Sequence, residues 1–451
     1  MDDRRTLADL AGALGVPAPE GAGGTPLSGV STDTRTLAPG QVFFALNGEN
    51  FDGNRFVPAA FAAGAAAAVC SAPSPGGPCL VVDSPLAALQ QYASWHRGRV
   101  RARVFALTGS CGKTTTKELI AGLLETRLRV TRTRGNLNND IGCPLSLLEI
   151  GPDTDFAVIE MGANHPGEIA RLCEIARPDE SAVTLVAPAH LEGFGTIEDV
   201  ARAKAEIMEG LPPDGVFYVN ADDPRCAAMG ERHRGPKVVF GSRGDVRLLS
   251  ADFDASGDLA LEIDPVGSLR LPLRVRAYTT NVLLAVAVAL RHGVTDIAEP
   301  LRAACARLGR FQELRVGPLT VLSDVYNANP ASMAAALDAL RDHPGGGARI
   351  AVLGEMRELG AASAALHREL GAAAAARGAD RVLALGEHAA DIVDGARAAG
   401  AALAEVFTDH ATAAAAVFGA AAPGDVVLVK GSRGIRMELF TEALKRLYGV
   451  E

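Results

Sequence analysis

Short, almost entirely apolar runs alternate with helical stretches from about residue 100 to the end of the chain. These runs are predicted strands, at residues 104–107, 156–159, 182–186, 216–219, 319–322, 350–353, 382–385 and 426–429. Strands of a parallel sheet are buried on both faces, so they lack the polar alternation of a half-exposed strand. Because each run is followed by a helical stretch, the pattern predicts an α/β fold with parallel sheets.

Breaks in this pattern suggest a division into three domains. Stretches rich in proline and glycine at 18–24 and 71–78 indicate loops in a small N-terminal α/β domain, residues 1–100. We predict a central ATPase domain with a phosphate loop and a parallel sheet, residues 101–309. A C-terminal Rossmann-like α/β domain is predicted for residues 310–451.

Composition and charge exclude several classes of protein. With 48% hydrophobic and 22% charged residues, the chain is not of the disordered class. A net charge of −9 argues against a nucleic-acid-binding surface. Seven scattered cysteines, without a C-x-x-C pair, indicate a reducing cytoplasm and no zinc site. We expect no signal peptide, because the charged start of the chain leads into no apolar segment. We expect no membrane insertion, because the longest apolar run, 282–290, is too short to span a bilayer and predicts a buried core helix.

The strongest local motif is TGSCGKTTTKE at 108–118, between a predicted strand and a helix. Its glycines let backbone N–H groups close around phosphate oxygens at the positive end of the helix. Lys113 is expected to reach the β- and γ-phosphates, and the hydroxyl of Thr114 to hold Mg²⁺. The general P-loop spacing is incomplete, because Leu107 stands at its first glycine position; the alternative is a turn with a surface lysine. The predicted ATP-binding residues are Gly109, Ser110, Cys111, Gly112, Lys113, Thr114 and Thr115.

Two further polar residues follow predicted strands, at the ends where open α/β sheets bind ligands. Glu160 follows the strand 156–159, and its carboxylate suits Mg²⁺, which prefers oxygen ligands. Its alternative role is an ion pair with an arginine. His190 follows the strand 182–186, although imidazole is not a preferred ligand of Mg²⁺.

Several segments, taken together and in order, resemble the Mur ligase family, the ATP-dependent amide-forming enzymes of peptidoglycan precursor synthesis. Besides the phosphate loop they are GNLNNDIGCP at 135–144, EMGANHPGEI at 160–169, AHLEGFG at 189–195, YNANPASM at 326–333 and GEMRELG at 354–360. The resemblance covers essentially the whole chain. It is closest to the members that add D-alanyl-D-alanine to UDP-N-acetylmuramoyl tripeptide. It implies one domain for the UDP-sugar, one for ATP and one for the dipeptide.

The resemblance also implies a metal site. Glu160 and His190 would join Thr114 as ligands of Mg²⁺, of which we expect two ions. Lys204 falls where the family carries a lysine carbamylated by CO₂, a change that turns a cation into a carboxylate-like ligand. Read alone, Lys204 is a solvated lysine on a helix capped by Thr196. Lys113, Glu160, His190 and Lys204 are therefore the expected catalytic residues.

Further contacts with substrates are implied by the resemblance. Asn281, Arg310 and Asp324 are expected to contact ATP, and KGSR at 430–433 resembles another family element. For Ser31, Asp33 and Arg35, ordinary turn capping is an alternative. The residues expected to bind the UDP-sugar and peptide substrates are Ser31, Asp33, Arg35, Asn138, Asn139, Asn327 and Asn329.

One departure and several alternatives remain at this point. Ala277 and Tyr278 stand where the family usually has a His-Asn pair, so Tyr278 is expected to stack on adenine. A sister ligase that adds the third amino acid is the nearest alternative. The Asp-Asn-Pro-Arg element of its diaminopimelate-adding form is absent, and DDPR at 222–225, which lies in the nucleotide domain, is not that element. Folylpolyglutamate synthetase and a P-loop switch or binding module are more distant alternatives. We expect a monomer.

Overall fold

Three sheets follow one another along the chain in the computed structural model, which describes residues 5–48 and 51–450. Helices pack on each sheet, so the predicted α/β fold is confirmed. Residues 1–4, part of the segment judged not to be a signal peptide, lie outside the described residues. No helix in the described part of the chain is long and apolar enough to cross a membrane.

The first sheet is small and parallel, with the order β1-β2-β3-β4 among the described residues. The first helix of this N-terminal part begins after Thr6, whose side chain forms a capping box with Asp9. A 3₁₀ turn spans Gly53–Phe56. The other elements are α1 (Leu7–Leu14), β1 (Gly29–Ser31), β2 (Gln41–Phe44), α2 (Val57–Ala62), β3 (Ala67–Cys70), β4 (Cys79–Val81) and α3 (Pro85–Arg97).

The second sheet carries the phosphate loop and has the order β13-β12-β11-β10-β9-β8-β5-β7-β6 in the described part of the chain. Its helices are α4 (Lys113–Leu124), α5 (Gly142–Leu148), α6 (Glu168–Ala176), α7 (Leu191–Phe194), α8 (Ile197–Glu209), α9 (Pro224–Arg232), α10 (Tyr278–Arg291) and α11 (Ala298–Ala306). Its strands are β5 (Arg103–Thr108), β6 (Val130–Arg132), β7 (Phe156–Glu160), β8 (Glu180–Val183), β9 (Val216–Asn220), β10 (Lys237–Gly241), β11 (Val246–Phe253), β12 (Leu259–Asp264) and β13 (Gly267–Leu271).

The second sheet differs from the predicted pattern in two respects. It is not wholly parallel, because β12 runs antiparallel to both β11 and β13. Alternate residues of β12 are buried, the pattern of a strand with one exposed face, which a search for continuous apolar runs does not detect. The predicted strand 182–186 also lies too late, since β8 ends at Val183. Beyond it, the backbone N–H of Val186 bonds to the carboxylate of Asp223 rather than to a neighbouring strand. The apolar run 282–290 lies in α10 and is buried, as predicted.

The third sheet has the order β14-β15-β19-β16-β17-β18 within the described residues. Among the described strands of this sheet, only the edge strand β14 is antiparallel, to β15. Three-residue 3₁₀ turns lie at Gly360–Ala362 and Arg433–Ile435. Its elements are β14 (Gln312–Val316), β15 (Leu319–Asp324), α12 (Pro330–Asp342), β16 (Arg349–Gly354), α13 (Ser363–Ala376), β17 (Arg381–Leu385), α14 (Ala389–Ala398), β18 (Leu403–Phe407), α15 (His410–Ala420), β19 (Val426–Lys430) and α16 (Glu438–Tyr448).

The carboxyl ends of strands in the second and third sheets face the same cavity. The loops after β5, β7, β8 and β15, together with Lys430 at the end of β19, line one cavity between the two sheets. This is the position expected for ligands in open α/β sheets, outside the carboxyl ends of the strands.

Candidate active site

The phosphate loop joins β5 to α4 and has room only for glycine at two positions. Gly109 and Gly112 have φ angles of 144° and 81°. A Cβ at Gly109 would lie 1.9 Å from Oγ1 of Thr184, and one at Gly112 would lie 2.3 Å from Nδ2 of Asn281. The loop therefore keeps its backbone close to its neighbours, as a phosphate-binding loop requires.

The first turn of α4 faces the cavity with Lys113, Thr114 and Thr115. Lys113 Nζ donates a hydrogen bond to the carbonyl oxygen of Gly109 at 2.8 Å. Asn281 Nδ2 donates to Thr116 Oγ1 at 2.8 Å, so Asn281 braces the loop as well as lining the cavity. The positive end of a helix and a lysine side chain thus meet at one point, an arrangement that binds phosphate groups.

The cavity has a volume of 410 Å³, within the range of small-molecule sites. Ser110, Cys111, Gly112 and the three residues of the α4 turn line it, together with Asn138, Asn139, Glu160, His190, Tyr278, Asn281, Arg310, Asp324, Tyr326, Asn327, Asn329 and Lys430. Nδ2 of Asn329 donates to the carbonyl oxygen of Ser110 at 3.1 Å, which joins the third sheet directly to the phosphate loop. Most residues predicted for the ATP, metal and peptide sites are therefore brought together.

Glu160 lies at the end of β7 with one carboxylate oxygen left without a hydrogen bond. Its Oε1 accepts from Asn138 Nδ2 at 2.7 Å, whereas its buried Oε2 has no hydrogen-bond partner. Lys117 Nζ lies 3.8 Å from Oε2. A buried carboxylate oxygen without a hydrogen-bond partner is unfavourable unless another group binds it. A divalent cation is a suitable ligand for such an oxygen. Asn139, in contrast, caps a turn by accepting the N–H of Gly142 at 2.9 Å.

His190 lies in the left-handed region, with φ of 54°, and reaches across to the third sheet. Its Nδ1 hydrogen-bonds to a carboxylate oxygen of Glu358. Burial lowers the pKa of His190, and the nearby Lys113 and Lys204 lower it further, whereas Glu358 acts in the opposite direction. The imidazole is therefore mainly neutral near pH 7. Carboxylate–histidine pairs orient metal-ligating imidazoles in this way.

Lys204 lies on α8 and is buried, with 2% of its surface exposed. The capping box of Thr196 and Asp199 that begins this helix is as predicted, but a solvated position for Lys204 is wrong. Its Nζ lies 5.5 Å from the ring centroid of Phe194, and Lys204 is not among the residues that line the cavity. Burial lowers the pKa of Lys204 to about 7, and Lys113 contributes in the same direction. Neutral amine is thus present at neutral pH, and that is the form that reacts with CO₂.

Lys204 should also lower the stability of the unmodified, nucleotide-free protein. Its pKa falls from 10.5 in the unfolded chain to about 7 in the folded protein, so the unfolded chain binds more protons between these values. Stability should therefore rise with pH across this window. Lys204→Met should raise the free energy of unfolding below pH 7 by on the order of 2–5 kcal/mol. Denaturant unfolding at pH 6.5 and pH 9.5 in CO₂-free buffer measures this; an equal gain at both pH values would contradict it.

The side of the cavity formed by the third sheet presents two cations and an aromatic ring. Lys430 is buried, and its Nζ donates to Asp324 Oδ2 at 2.6 Å and to the carbonyl oxygen of Asn327 at 2.8 Å. The guanidinium carbon of Arg310 lies 3.1 Å from the ring centroid of Tyr326. Burial raises the pKa of the Tyr278 hydroxyl, so this side chain presents a neutral, largely apolar surface.

Three residues predicted to bind substrate lie away from this cavity, on the first sheet. Ser31 Oγ donates to the carbonyl oxygen of Asp33 at 3.0 Å. Arg35 forms an ion pair with Asp33 at 2.6 Å, and this pair holds the pKa of Asp33 at about 2. These contacts are those of a capped turn, the alternative raised from the sequence.

Sequence reasoning assigned no role to Glu358, Tyr326 or Lys117. Glu358 lies in the GEMRELG segment and Tyr326 in the YNANPASM segment, so both segments were recognised while these side chains were not. Lys117 follows Lys113 by four residues on a helix, and this spacing places the two lysines on one face. That spacing is the signal that would have identified it.

Around Glu160 and His190, the described residues contain no group of three or more His, Cys, Asp and Glu side chains able to hold a metal ion. A site for Mg²⁺ here needs further oxygen ligands. Phosphate oxygens, the Thr114 hydroxyl and a modified lysine are the chemical groups that fit.

Three models of protein families match this chain. They are the Mur ligase family catalytic domain at residues 26–91, the Mur ligase middle domain at 107–289, and the Mur ligase glutamate ligase domain at 309–433. The chain is 39% identical over 443 residues to the UDP-N-acetylmuramoyl-tripeptide–D-alanyl-D-alanine ligase of Escherichia coli, covering 93% of this chain and 94% of that enzyme. The chain belongs to the Mur ligase family. Mur ligases are ATP-dependent enzymes that form amide bonds with the help of Mg²⁺, which agrees with the phosphate loop and with Glu160.

Other relatives support the same placement. The Mur ligase of the same name from Bacillus subtilis is 34% identical, with 92% of each chain covered. A crystal structure of MurF from Acinetobacter baumannii is 32% identical and superposes with a TM-score of 0.89 over 98% of this chain and 99% of that one. MurF from Thermotoga maritima, solved in complex with ADP, is 30% identical and gives 0.83 over 93% and 98%.

Proposed function

We propose that this Mur ligase joins D-alanyl-D-alanine to UDP-N-acetylmuramoyl tripeptide at the expense of ATP, giving the pentapeptide precursor of peptidoglycan. The observation that carries the proposal is the cavity, where the phosphate loop, Glu160 and the loops of the third sheet meet. The choice of substrates is supported by near-full-length relatives that carry this activity in their names.

In this proposal the terminal carboxylate of the tripeptide attacks the γ-phosphate of ATP and displaces ADP. The amine of the dipeptide then attacks the resulting acyl phosphate, and inorganic phosphate leaves. Lys113 and the loop amides stabilise the negative charge that grows on the transferring phosphoryl group. Closure of the third sheet onto the loop, through Asn329 and Ser110, excludes water that would hydrolyse the acyl phosphate.

We propose that Thr114, Glu160, His190 and carbamylated Lys204 hold two Mg²⁺ ions. The orphaned Oε2 of Glu160, the neutral imidazole of His190 and the depressed pKa of Lys204 support this set. When bound, the metal neutralises phosphate charge and so assists phosphoryl transfer. The protein holds the ligands in place: Asn138 orients Glu160, and Glu358 orients His190.

Glu358→Ala should lower kcat about 10- to 100-fold, because an outer partner of a metal-ligating imidazole contributes about this much. The variant removes the carboxylate that holds His190 Nδ1. Initial rates at varied Mg²⁺ measure the effect, and the apparent Mg²⁺ requirement should rise with it. Glu369→Ala, at an exposed position of α13, is the control. Unchanged kcat and Mg²⁺ requirement in Glu358→Ala would exclude this role.

We propose that ATP lies with its ribose near Asp324 and its base between Tyr278 and the Arg310–Tyr326 pair. Tyr278, Arg310, Asp324 and Tyr326 all line the cavity close to the phosphate loop, which supports this placement. The Lys430 contact fixes Asp324 as an acceptor for ribose hydroxyls. Asn281 acts on ATP chiefly by bracing the loop.

Arg310→Ala should raise KM for ATP about tenfold, since stacking and cation contacts of this kind contribute about 1–2 kcal/mol when desolvated. Steady-state kinetics with saturating peptide substrates measure the change. Arg302→Ala, on the exposed face of α11, should leave KM unchanged. A KM for ATP within twofold of wild type would place Arg310 outside the nucleotide site.

We further propose that residues 1–100 receive the UDP-sugar, 101–309 bind ATP and 310–451 bring the dipeptide. Ser31 ends β1, and Asp33 and Arg35 follow it at the carboxyl end of the first sheet, a position that suits a nucleotide sugar. Asn138, Asn139, Asn327 and Asn329 line the cavity and are proposed to meet the peptide substrates. One chain supplies every group used, so we propose an active monomer. All seven cysteines are free thiols, which supports a cytoplasmic location.

A panel of acceptors tests the choice of substrates. UDP-muramoyl tripeptide with D-alanyl-D-alanine should be used, and UDP-muramoyl dipeptide with diaminopimelate or lysine should not. Use of the UDP-muramoyl dipeptide would indicate the sister ligase, and use of a folate with glutamate would indicate folylpolyglutamate synthetase activity. ATP hydrolysis at a rate that no peptide substrate changes would indicate a P-loop switch or binding module.

A further inference from the structure

A second lysine on the phosphate-loop helix is buried beside the proposed metal ligand Glu160. Lys117 is 0% exposed. Its Nζ donates to the carbonyl oxygen of Gly135 at 3.1 Å and pairs with Glu118 Oε1 at 3.2 Å. It also lies 3.8 Å from Oε2 of Glu160, the oxygen that has no hydrogen bond. The phosphate chemistry assigned to Lys113, one helical turn earlier, leaves this buried charge unexplained.

Glu160 keeps its orientation by other contacts. Its Oε1 is held by Asn138 at 2.7 Å, and its backbone N–H donates to Thr133 Oγ1 at 3.0 Å. The strand that carries it, β7, is paired on both sides, with β5 and β6. Lys117 therefore acts on Glu160 mainly through charge, at the one oxygen that faces no other donor.

We propose that Lys117 neutralises the free oxygen of Glu160 until nucleotide arrives, so that metal binding at this site depends on ATP. A fixed ammonium near a carboxylate oxygen repels a divalent cation at the same oxygen, and burial strengthens this repulsion. The phosphates of ATP would bring compensating negative charge to the adjacent loop. The proposal rests on the metal site at Glu160 but not on the identity of the peptide substrates.

Binding of Mn²⁺ to the full-length, nucleotide-free protein, followed by electron paramagnetic resonance, tests this proposal without turnover. Lys117→Met should bind Mn²⁺ about tenfold or more tightly than wild type, because a buried positive charge has been removed close to the cation. Lys117→Arg keeps the charge and should bind as weakly as wild type. Lys237→Met is the control for loss of a lysine outside the cavity, since Lys237 Nζ also donates to backbone carbonyls, those of Gly230 and His233 at the end of α9.

Two further experiments identify the site and its dependence on nucleotide. The double variant Lys117→Met with Glu160→Gln should not show the increased affinity for Mn²⁺. In the presence of a non-hydrolysable ATP analogue, the Mn²⁺ affinities of wild type and Lys117→Met should differ by less than about threefold. Unchanged or weaker Mn²⁺ binding in Lys117→Met would overturn the proposal, as would a gain that survives in the double variant or a tenfold difference that persists with the analogue. If Lys117→Met fails to fold, Lys117→Gln carries the same expectation. Because no peptide substrate is present, failure here is distinct from failure of the proposed ligase reaction.

Discussion

Lys204→Met should lower kcat about 10³-fold or more, because the carbamate proposed at this position supplies charge that stabilises the transferring phosphoryl group. Loss of folding is not the expected cause, since removal of a buried cation should stabilise the protein below pH 7. Phosphate release with saturating ATP, tripeptide and dipeptide measures the effect.

A spectroscopic arm separates the carbamate from a purely structural lysine. Wild-type protein incubated with ¹³C-labelled bicarbonate and Mg²⁺ should show a carbamate signal in its ¹³C spectrum, and Lys204→Met should lack it. Depletion of CO₂ should reduce the activity of wild type, and bicarbonate should restore it. Full activity in Lys204→Met would rule out the carbamate role. Lys237→Met is again the control, because Lys237 begins β10 and does not line the cavity.

Lys113→Met should reduce kcat by about 10³-fold or more, with little loss of affinity for the UDP-tripeptide. Lys113 is the cation at the start of α4, and it lines the cavity beside Thr114 and Thr115. Its contact with the Gly109 carbonyl would be exchanged for phosphate oxygens when ATP binds.

Pre-steady-state phosphate release and separate titrations with ATP and UDP-tripeptide distinguish the two steps. Lys113→Arg tests geometry at constant charge and should also be impaired, because a guanidinium does not replace a compact ammonium on a tight loop. Wild-type kcat in Lys113→Met would show that the phosphates lie elsewhere in the cavity.

The sequence allows prediction of the elements whose local chemistry is distinctive. Continuous apolar runs predicted β5, β7 and β9 and, in the third sheet, β15, β16, β17 and β19, because strands buried on both faces leave no polar alternation. The parallel edge strand β18 was missed, since most of its residues are exposed or half-buried. The antiparallel strands β12 and β13 were missed because their alternating burial lies outside that search pattern. The phosphate loop could be predicted because glycine is required where a neighbour leaves no room for a Cβ, as Thr184 does at Gly109.

The rest of the site depends on contacts between distant parts of the chain. His190 and Glu358 meet although 168 positions separate them, and Asn329 reaches Ser110 across 219. No local pattern encodes such pairs. Lys204 illustrates the same limit, since its helix is amphipathic and its charge suggests solvent, yet tertiary packing buries it. Motif resemblance named the segments correctly, but the individual partners came only from packing.

The most direct test of the account is phosphate release from Mg·ATP with UDP-muramoyl tripeptide, with and without D-alanyl-D-alanine, and with the product mass determined. We expect release to require both substrates and the product to gain the mass of one D-alanyl-D-alanine less one water. That result would also show that Ala277 and Tyr278 support ATP use. Binding of ATP without release, or release that is independent of the dipeptide and yields no new peptide mass, would contradict the proposed ligase activity.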